Sequence, residues 1–412
     1  MHFLRVFMRG VLRRRWVFAA LASSLMSAGC ASGPPTSFVA AWTASQQDAL
    51  EPGLPHTTAV RSMEAQTLRQ VLRVSTAGEG MRIKLSNRFG KAPVVFDAVH
   101  VALSTAASSV DISTQRPVTL NGQTRFALPA GAEVWSDLVP LAVPAHALVA
   151  VSLSTWGPTP FVTQHIQARQ TAFLAPGALT SAATLAYPEF LPSYYWLAGV
   201  DVVSHAAPKV VVAFGDSITD GFGSTPDQSR RYPDLLDNRL KAAGRHAAVV
   251  NAGLSGNRWL HDMVGPSGES RFVRDVLEVS GITHALILMG INDIGYAMDR
   301  PSQDVSAEQL IAAMSTASTK ARTRGVAVIF GTLPPFGKAR YFTPDGEAKR
   351  QAINAWIRNN ATLHGIADFD QALRDPSDPT TLLPAFDSGD HLHPNDDGYA
   401  AMAGAVDLDL LR

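Results

Sequence analysis

Four polar residues in this chain, Ser217, Asn292, Asp390 and His393, are of the types that acyl transfer through a serine requires. A serine hydroxyl is a weak nucleophile until a base takes its proton. His393 is the candidate base, and Asp390, three positions earlier, is the carboxylate that would hold its Nδ1–H and stabilise the imidazolium. A tetrahedral intermediate also needs hydrogen-bond donors for its oxyanion. The candidates are the backbone N–H of Ser217, the backbone N–H of Gly253 and the side-chain amide of Asn292. Gly253 fits because a missing Cβ lets the backbone approach a substrate closely. Asp216 has no direct chemical step and is expected to act behind the site, as an acceptor that orients the loop.

Each piece alone has a plainer reading. Gly215-Asp216-Ser217 is a common turn, Gly290-Ile291-Asn292-Asp293 is short, and a histidine near a carboxylate is usually a structural hydrogen bond. Asp390, His391 and His393 could also be read as metal ligands. No third or fourth partner with metal-like spacing stands elsewhere, since His261 and His284 are isolated, and no cofactor is expected.

The elements that must position these residues give them their weight. Lys209 to Phe214 is a β-branched apolar run read as a buried strand, ended by Gly215, so Ser217 falls where a strand turns toward a helix. A helix is expected over Tyr232–Ala243, with strands at Ala247–Asn251, Ala285–Met289, Val326–Phe330 and Ile366–Phe369. Ser306 and Gln309 form a capping-box pattern before a helix with Leu310, Ile311, Met314, Ala317 and Ala321 on one side, closed by Gly325. A further helix covers about Asp345 to Thr362, and the last follows Asn395. Strands alternating with helices imply a parallel, doubly wound sheet, and such sheets bind ligands at the carboxyl ends of their strands. The candidate residues all fall just after strands.

The first half reads differently. Met81, Ile83 and Leu85 alternate with polar residues, as do Val99, Val101 and Leu103, and then Val149, Val151 and Leu153. Each pattern predicts a half-buried strand, and Gly78-Glu79-Gly80 and Asn121-Gly122 mark turns between them. Many short strands without a long helical pattern predict a β-sandwich over residues 38–200, leaving 201–412 for the α/β domain. Trp42, Trp135, Trp156, Tyr194, Tyr195 and Trp196 could stack on sugar rings, although aromatics in a sandwich more often pack its core.

The chain has 412 residues, 46% hydrophobic and 17% charged, which suits two globular domains rather than a disordered polymer. Residues 1–29 read as a signal peptide: five arginines and no Asp, Glu or Lys, with an apolar run from Trp16 to Met26 too short to span a bilayer, then Ser27, Ala28 and Gly29. Removing them leaves 30 basic against 35 acidic residues, a poor match for nucleic acid. Arg13-Arg14-Arg15-Trp16-Val17 resembles a twin-arginine signal, and Ser27-Ala28-Gly29-Cys30 resembles a bacterial lipobox. The resemblance implies lipidation of Cys30 and membrane attachment in the periplasm or at the outer membrane. The alternative is a soluble exported protein in which Cys30 is incidental. Residues 30–37 form a polar linker, and a single cysteine allows no internal disulfide.

Gly215-Asp216-Ser217-Ile218, Gly253, Gly290-Ile291-Asn292-Asp293 and Asp390-His391-Leu392-His393 resemble, in order and spacing, the four blocks of the SGNH or GDSL-type hydrolases. The resemblance covers roughly the second half. It implies a flavodoxin-like three-layer α/β/α fold and serine esterase chemistry without a metal. It makes Ser217 the nucleophile, Gly253 and Asn292 oxyanion donors, and Asp390 and His393 the rest of a triad. Longer stretches, Asn-Ala-Gly-Leu-Ser-Gly-Asn-Arg among them, resemble exported bacterial arylesterase-like and xylan-esterase-like proteins that also carry an N-terminal β domain. That subgroup implies short acyl esters, acetyl first, on a small alcohol or a carbohydrate. Acyl transfer to a sugar hydroxyl by the same site, or a non-catalytic sugar-binding lipoprotein, are the competing readings. The α/β-hydrolase alternative fails because Ser217 lacks the Gly-x-Ser-x-Gly elbow.

Overall fold

A computed structural model describes residues 37–50, 61–155, 157–205 and 208–412. Residues 1–29, read as a signal peptide, and Cys30 and Trp156 lie outside the described residues. The α/β half is built on five parallel strands: β1 (Lys209–Gly215), β2 (Ala247–Gly253), β3 (Ile282–Leu288), β4 (Ala327–Gly331) and β5 (Gly365–Ala367). Their spatial order is β2-β1-β3-β4-β5. These strands read as continuous apolar runs because helices cover the sheet; in β1 every position from Val210 to Gly215 is buried. The chain leaves β1 toward β2 on one side and returns to β3 on the other. That reversal opens a crevice at the carboxyl ends of β1 and β3, where Ser217 and Asn292 follow.

Helix Ala307–Arg322 starts on the expected capping box: the Ser306 hydroxyl accepts from Gln309 N–H (3.3 Å) and the Gln309 side chain accepts from Ser306 N–H (2.8 Å). It buries Leu310, Met314, Ala317 and Ala321. Strand β3 begins three residues before its expected start, because Thr283 Oγ1 donates to Val210 O and accepts from Val210 N–H, extending the pairing with β1. Strand β5 stops at Ala367, since Asp368 caps a short helix, Phe369–Leu373.

The β-rich half contains two main antiparallel sheets. One orders strands Ser37–Thr43, Leu197–Ser204, Met81–Ser86 and Glu133–Trp135; the other centres on Gln66–Arg73, Leu148–Thr155 and Ala98–Ala106. Strand Leu148–Thr155 was expected to be half-buried, but both its faces are covered. It is paired on both edges, and a second small core of Val71, Ala102, Ala150, Phe173, Ala175 and Leu185 covers the face read as exposed. Four of the aromatics considered as sugar platforms, Trp42, Tyr194, Tyr195 and Trp196, are also interior. Trp42 meets Tyr194 edge-on at 5.0 Å, Tyr195 stacks on Phe161 at 4.1 Å, and Trp196 is fully buried. Trp135 is half-buried, with the Arg82 guanidinium 4.3 Å from its ring centre. The rings of Trp42, Tyr194, Tyr195 and Trp196 thus belong to the core.

Residues Thr36–Arg412 form one compact unit. Ala40 N–H donates to Ser280 O (2.9 Å) and Thr43 Oγ1 to Asn251 O (2.8 Å). The buried Ser75 hydroxyl donates to Asp237 (2.6 Å) and accepts from Val249 N–H (2.8 Å). The β-rich half is thereby bonded to β2, to helix Tyr232–Ala242 and to the residue that precedes the amino end of β3 by two positions.

Candidate active site

Strand β1 ends at Gly215, and the next residue caps a four-residue helix, Ser217–Asp220: Asp216 Oδ1 accepts from Ile218 N–H at 3.0 Å. Asn251 at the end of β2 braces the same helix through a 2.7 Å bond from its amide to Thr219 O. Ser217 Oγ lies 2.7 Å from His393 Nε2, and His393 Nδ1 lies 2.5 Å from Asp390 Oδ2. A carboxylate only accepts, so Nδ1 carries the hydrogen and Nε2 of the neutral ring is free to accept the serine proton. Asp390 also pins its own loop, since Oδ1 accepts from the backbone N–H groups of Leu392 (3.0 Å) and His393 (2.8 Å). Burial alone would raise the Asp390 pKa. The His393 hydrogen bond and charge, with these backbone donors, outweigh it and hold the carboxyl well below the ordinary range. The Phe222 ring packs 4.5 Å from the His393 ring and limits its swing.

His391 faces elsewhere: at φ 64° its ring bonds Asp387 at 2.6 Å. Both His393 nitrogens are occupied, by Asp390 and Ser217, so the three residues weighed as metal ligands do not converge. Among the described residues no group of three or more His, Cys, Asp or Glu is arranged to hold a metal.

Asn292 stands one turn beyond β3, on helix Ile291–Gly295. Its Nδ2 donates to Asn257 O (3.0 Å) and its Oδ1 accepts from the Tyr341 hydroxyl (3.3 Å). A backbone carbonyl cannot donate, so this network fixes which way the amide faces and leaves one N–H for the cavity that Asn292 lines. Gly253 does not join it. Its N–H is bonded to Asn251 Oδ1 at 2.8 Å, and a Cβ there would lie 2.3 Å from Asp220 N. The missing side chain serves helix–strand packing, not substrate approach. Three residues on, Gly256 lines the cavity at φ 77°, and its N–H has no acceptor among the described residues. The N–H of Gly253, expected to serve an oxyanion, is thus already bonded, and Gly256 is the glycine of this stretch that lines the cavity. The stretch Asn251-Ala252-Gly253-Leu254-Ser255-Gly256 offers two glycines, and only the length of β2 decides between them.

Sequence reasoning also missed Arg271. It is fully buried and donates to the carbonyls of Gly215 (2.7 Å) and Ala252 (2.8 Å), to Asn257 Oδ1 (2.8 Å) and to Ser45 Oγ (3.0 Å). One guanidinium thus ties the ends of β1 and β2 to the loop that holds Asn292. Burial lowers its pKa to about 10 against the raising effect of Asp275, so it stays cationic at neutral pH. Asp216, whose charge acts on Arg271, and Asp293 are also buried carboxylates. Burial pushes Asp216 up to about 7, reinforced by the charge of Asp293, and its Oδ2 has no hydrogen-bond partner among the described residues. Burial likewise raises Asp293 to about 6, although it accepts from the N–H groups of Trp259 (2.6 Å) and Leu260 (3.0 Å).

Ser217, His393, Asn292 and Gly256 open on a cavity of about 230 Å³, whose remaining wall includes Gln47, Ile166 and Gln167 from the β-rich half. A serine, a histidine and a carboxylate in hydrogen-bonded line, at the switch point of a parallel sheet, form an arrangement suited to acyl hydrolysis. Residues 213–401 match the GDSL-like lipase/acylhydrolase family. The match spans a little under half of the chain; this part of it is similar to that family, and the protein is an ester hydrolase. Among solved structures, a catalytic mutant of an acetylxylan esterase from Geobacillus stearothermophilus is 22% identical, with 49% of this chain and 94% of that one covered, at a TM-score of 0.39. A lipase/acylhydrolase from Enterococcus faecalis is 22% identical, covering 48% and 91%, at 0.38. A GDSL-like lipase from Bacteroides thetaiotaomicron is 20% identical, covering 49% and 87%, at 0.38. No curated protein matches the chain.

Proposed function

We propose that this protein is an exported serine esterase that removes short acyl groups, acetyl first, from a small alcohol or a carbohydrate. The observation that carries the chemistry is the line from Ser217 Oγ through His393 to Asp390, at 2.7 and 2.5 Å. In acylation, His393 Nε2 takes the Ser217 proton as Oγ attacks the ester carbonyl, and the C–O double-bond pair moves onto oxygen. That oxyanion faces the N–H groups of Ser217, Gly256 and Asn292 Nδ2. Collapse breaks the bond to the alcohol, which leaves with the proton held on His393. Water then repeats the cycle on the acyl-enzyme, again through His393, and frees the acid. Asp390 keeps the tautomer throughout, and Asp216 caps the helix that presents the nucleophile.

The cavity supports a short acyl group: about 230 Å³ is small beside the roughly 300–1,000 Å³ of clefts that enclose drug-sized ligands. An acetylated carbohydrate as the alcohol side rests on the sequence resemblance to xylan-esterase-like proteins. Export, with lipidation at Cys30 holding the enzyme to a membrane, rests on residues 1–30. The test of the substrate is a kcat/KM series on acetyl, butyryl and octanoyl aryl esters, with acetate release from acetylated xylan. A steep fall toward octanoyl and measurable acetate are expected. A preference for octanoyl with no acetate released would overturn the substrate and leave the mechanism standing.

A further inference from the structure

His165 lies in the β-rich half, on strand Thr163–His165, yet its ring reaches the α/β half beneath the catalytic cavity. Nε2 is 3.0 Å from Asp220 Oδ1 and Nδ1 is 2.9 Å from Ser45 O, with side-chain exposures of 5% for His165 and 2% for Asp220. A carbonyl and a carboxylate only accept, so both bonds are made when both ring nitrogens carry hydrogen. Asp220 is the last residue of the helix that begins with Ser217. Its second oxygen accepts from Ser255 N–H (3.1 Å) and Ser255 Oγ (2.6 Å), and Ser255 precedes Gly256. Burial would raise the Asp220 pKa, but the charge and hydrogen bond of His165 and the Ser255 hydroxyl outweigh it and lower it. The carboxylate is thus ionised, held on one side by His165 and on the other by the turn that carries Gly256.

We propose that His165 is a positioning residue for the esterase reaction: through Asp220 and Ser255 it holds the Gly256 N–H at the place where the oxyanion forms. The β-rich half is on this account a working part of the active site. Gln47, beside the Ser45 segment, and Ile166 and Gln167, next in sequence to His165, line the same cavity. The inference rests on the role proposed for Gly256. A donor aimed at an oxyanion acts in the transition state more than in substrate binding, so disturbing it lowers kcat while KM stays.

The test is steady-state kinetics on aryl acetate with full-length protein, corrected for active sites by titration so that unfolded molecules do not count. Ser217→Ala is assayed alongside, so failure of the serine mechanism and failure of the brace are read separately. His165→Ala should lower kcat roughly 10- to 100-fold, a part of the 10²–10³ that loss of a whole oxyanion donor costs, with KM within about threefold. His165→Gln, which keeps an N–H for Asp220, should recover most of the loss. Ser255→Ala should also lower kcat, and the double variant should lose little more than His165→Ala alone, because both act along one chain of contacts. Wild-type kcat per active site in His165→Ala, or losses that add fully in the double variant, would overturn the proposal.

Discussion

At the residue scale, the chemistry depends on a few hydrogen bonds whose direction the neighbouring atoms force. Asp390 fixes the His393 tautomer, so Asp390→Asn should leave the fold intact and cost about 10⁴-fold in kcat, as the wrong nitrogen would then carry the hydrogen. Circular dichroism with steady-state rates checks this, and near-normal turnover would remove Asp390 from its role. The buried carboxyl of Asp216 makes a second expectation, about stability. Its pKa is raised to about 7 in the folded protein, so the folded state binds a proton that the unfolded state has released. The stability this group contributes is complete below pH about 4, near the ordinary Asp value, and is lost as pH rises through about 7. Asp216→Asn keeps the oxygen that caps Ile218 and removes the titration. Melting temperatures from pH 4 to 8 should therefore show the variant gaining on wild type as pH rises; parallel curves would contradict the assignment.

At the scale of elements, the parallel sheet and the order of its site residues were legible in the sequence, because buried strands write themselves as apolar runs ended by Gly, Asp and Asn. Helix Ala307–Arg322 was legible from its cap and one-sided apolar spacing. What was not legible depends on contacts between distant segments. The alternation in Leu148–Thr155 predicted an exposed face, which Phe173, Ala175 and Leu185 cover from another part of the chain. Arg271 and His165 carried no motif, since their meaning lies in the carbonyls and the carboxylate they meet across the fold. The choice between Gly253 and Gly256 turned on where β2 ends, which periodicity does not fix to one turn. That choice is testable. Gly253→Ala places a Cβ 2.3 Å from the Asp220 backbone and should chiefly lower the melting temperature. Gly256→Ala, at φ 77°, costs roughly 1–2 kcal/mol of local strain and should chiefly lower kcat. The reverse pattern would restore Gly253 as the donor.

At the scale of the whole molecule, the β-rich half and the α/β half share one compact unit, and the cavity draws walls from both. Removing the β-rich half would expose Asn251, Ala252 and Ser280, whose carbonyls it covers with hydrogen bonds. The N-terminal segment bears on where the enzyme works. Should Cys30 be lipidated, wild type will sediment with membranes and Cys30→Ala will appear in the soluble fraction; identical fractionation of the two would favour simple cleavage.

The central claim is that one hydroxyl, of the several serines near the crevice, attacks the ester. It is tested most directly by reacting the protein with a fluorophosphonate and mapping the adduct by peptide mass spectrometry. The account predicts one adduct per chain, on Ser217, with labelling and ester turnover both abolished in Ser217→Ala while the melting curve stays close to wild type. An adduct on another residue, or undiminished turnover in Ser217→Ala, would contradict it.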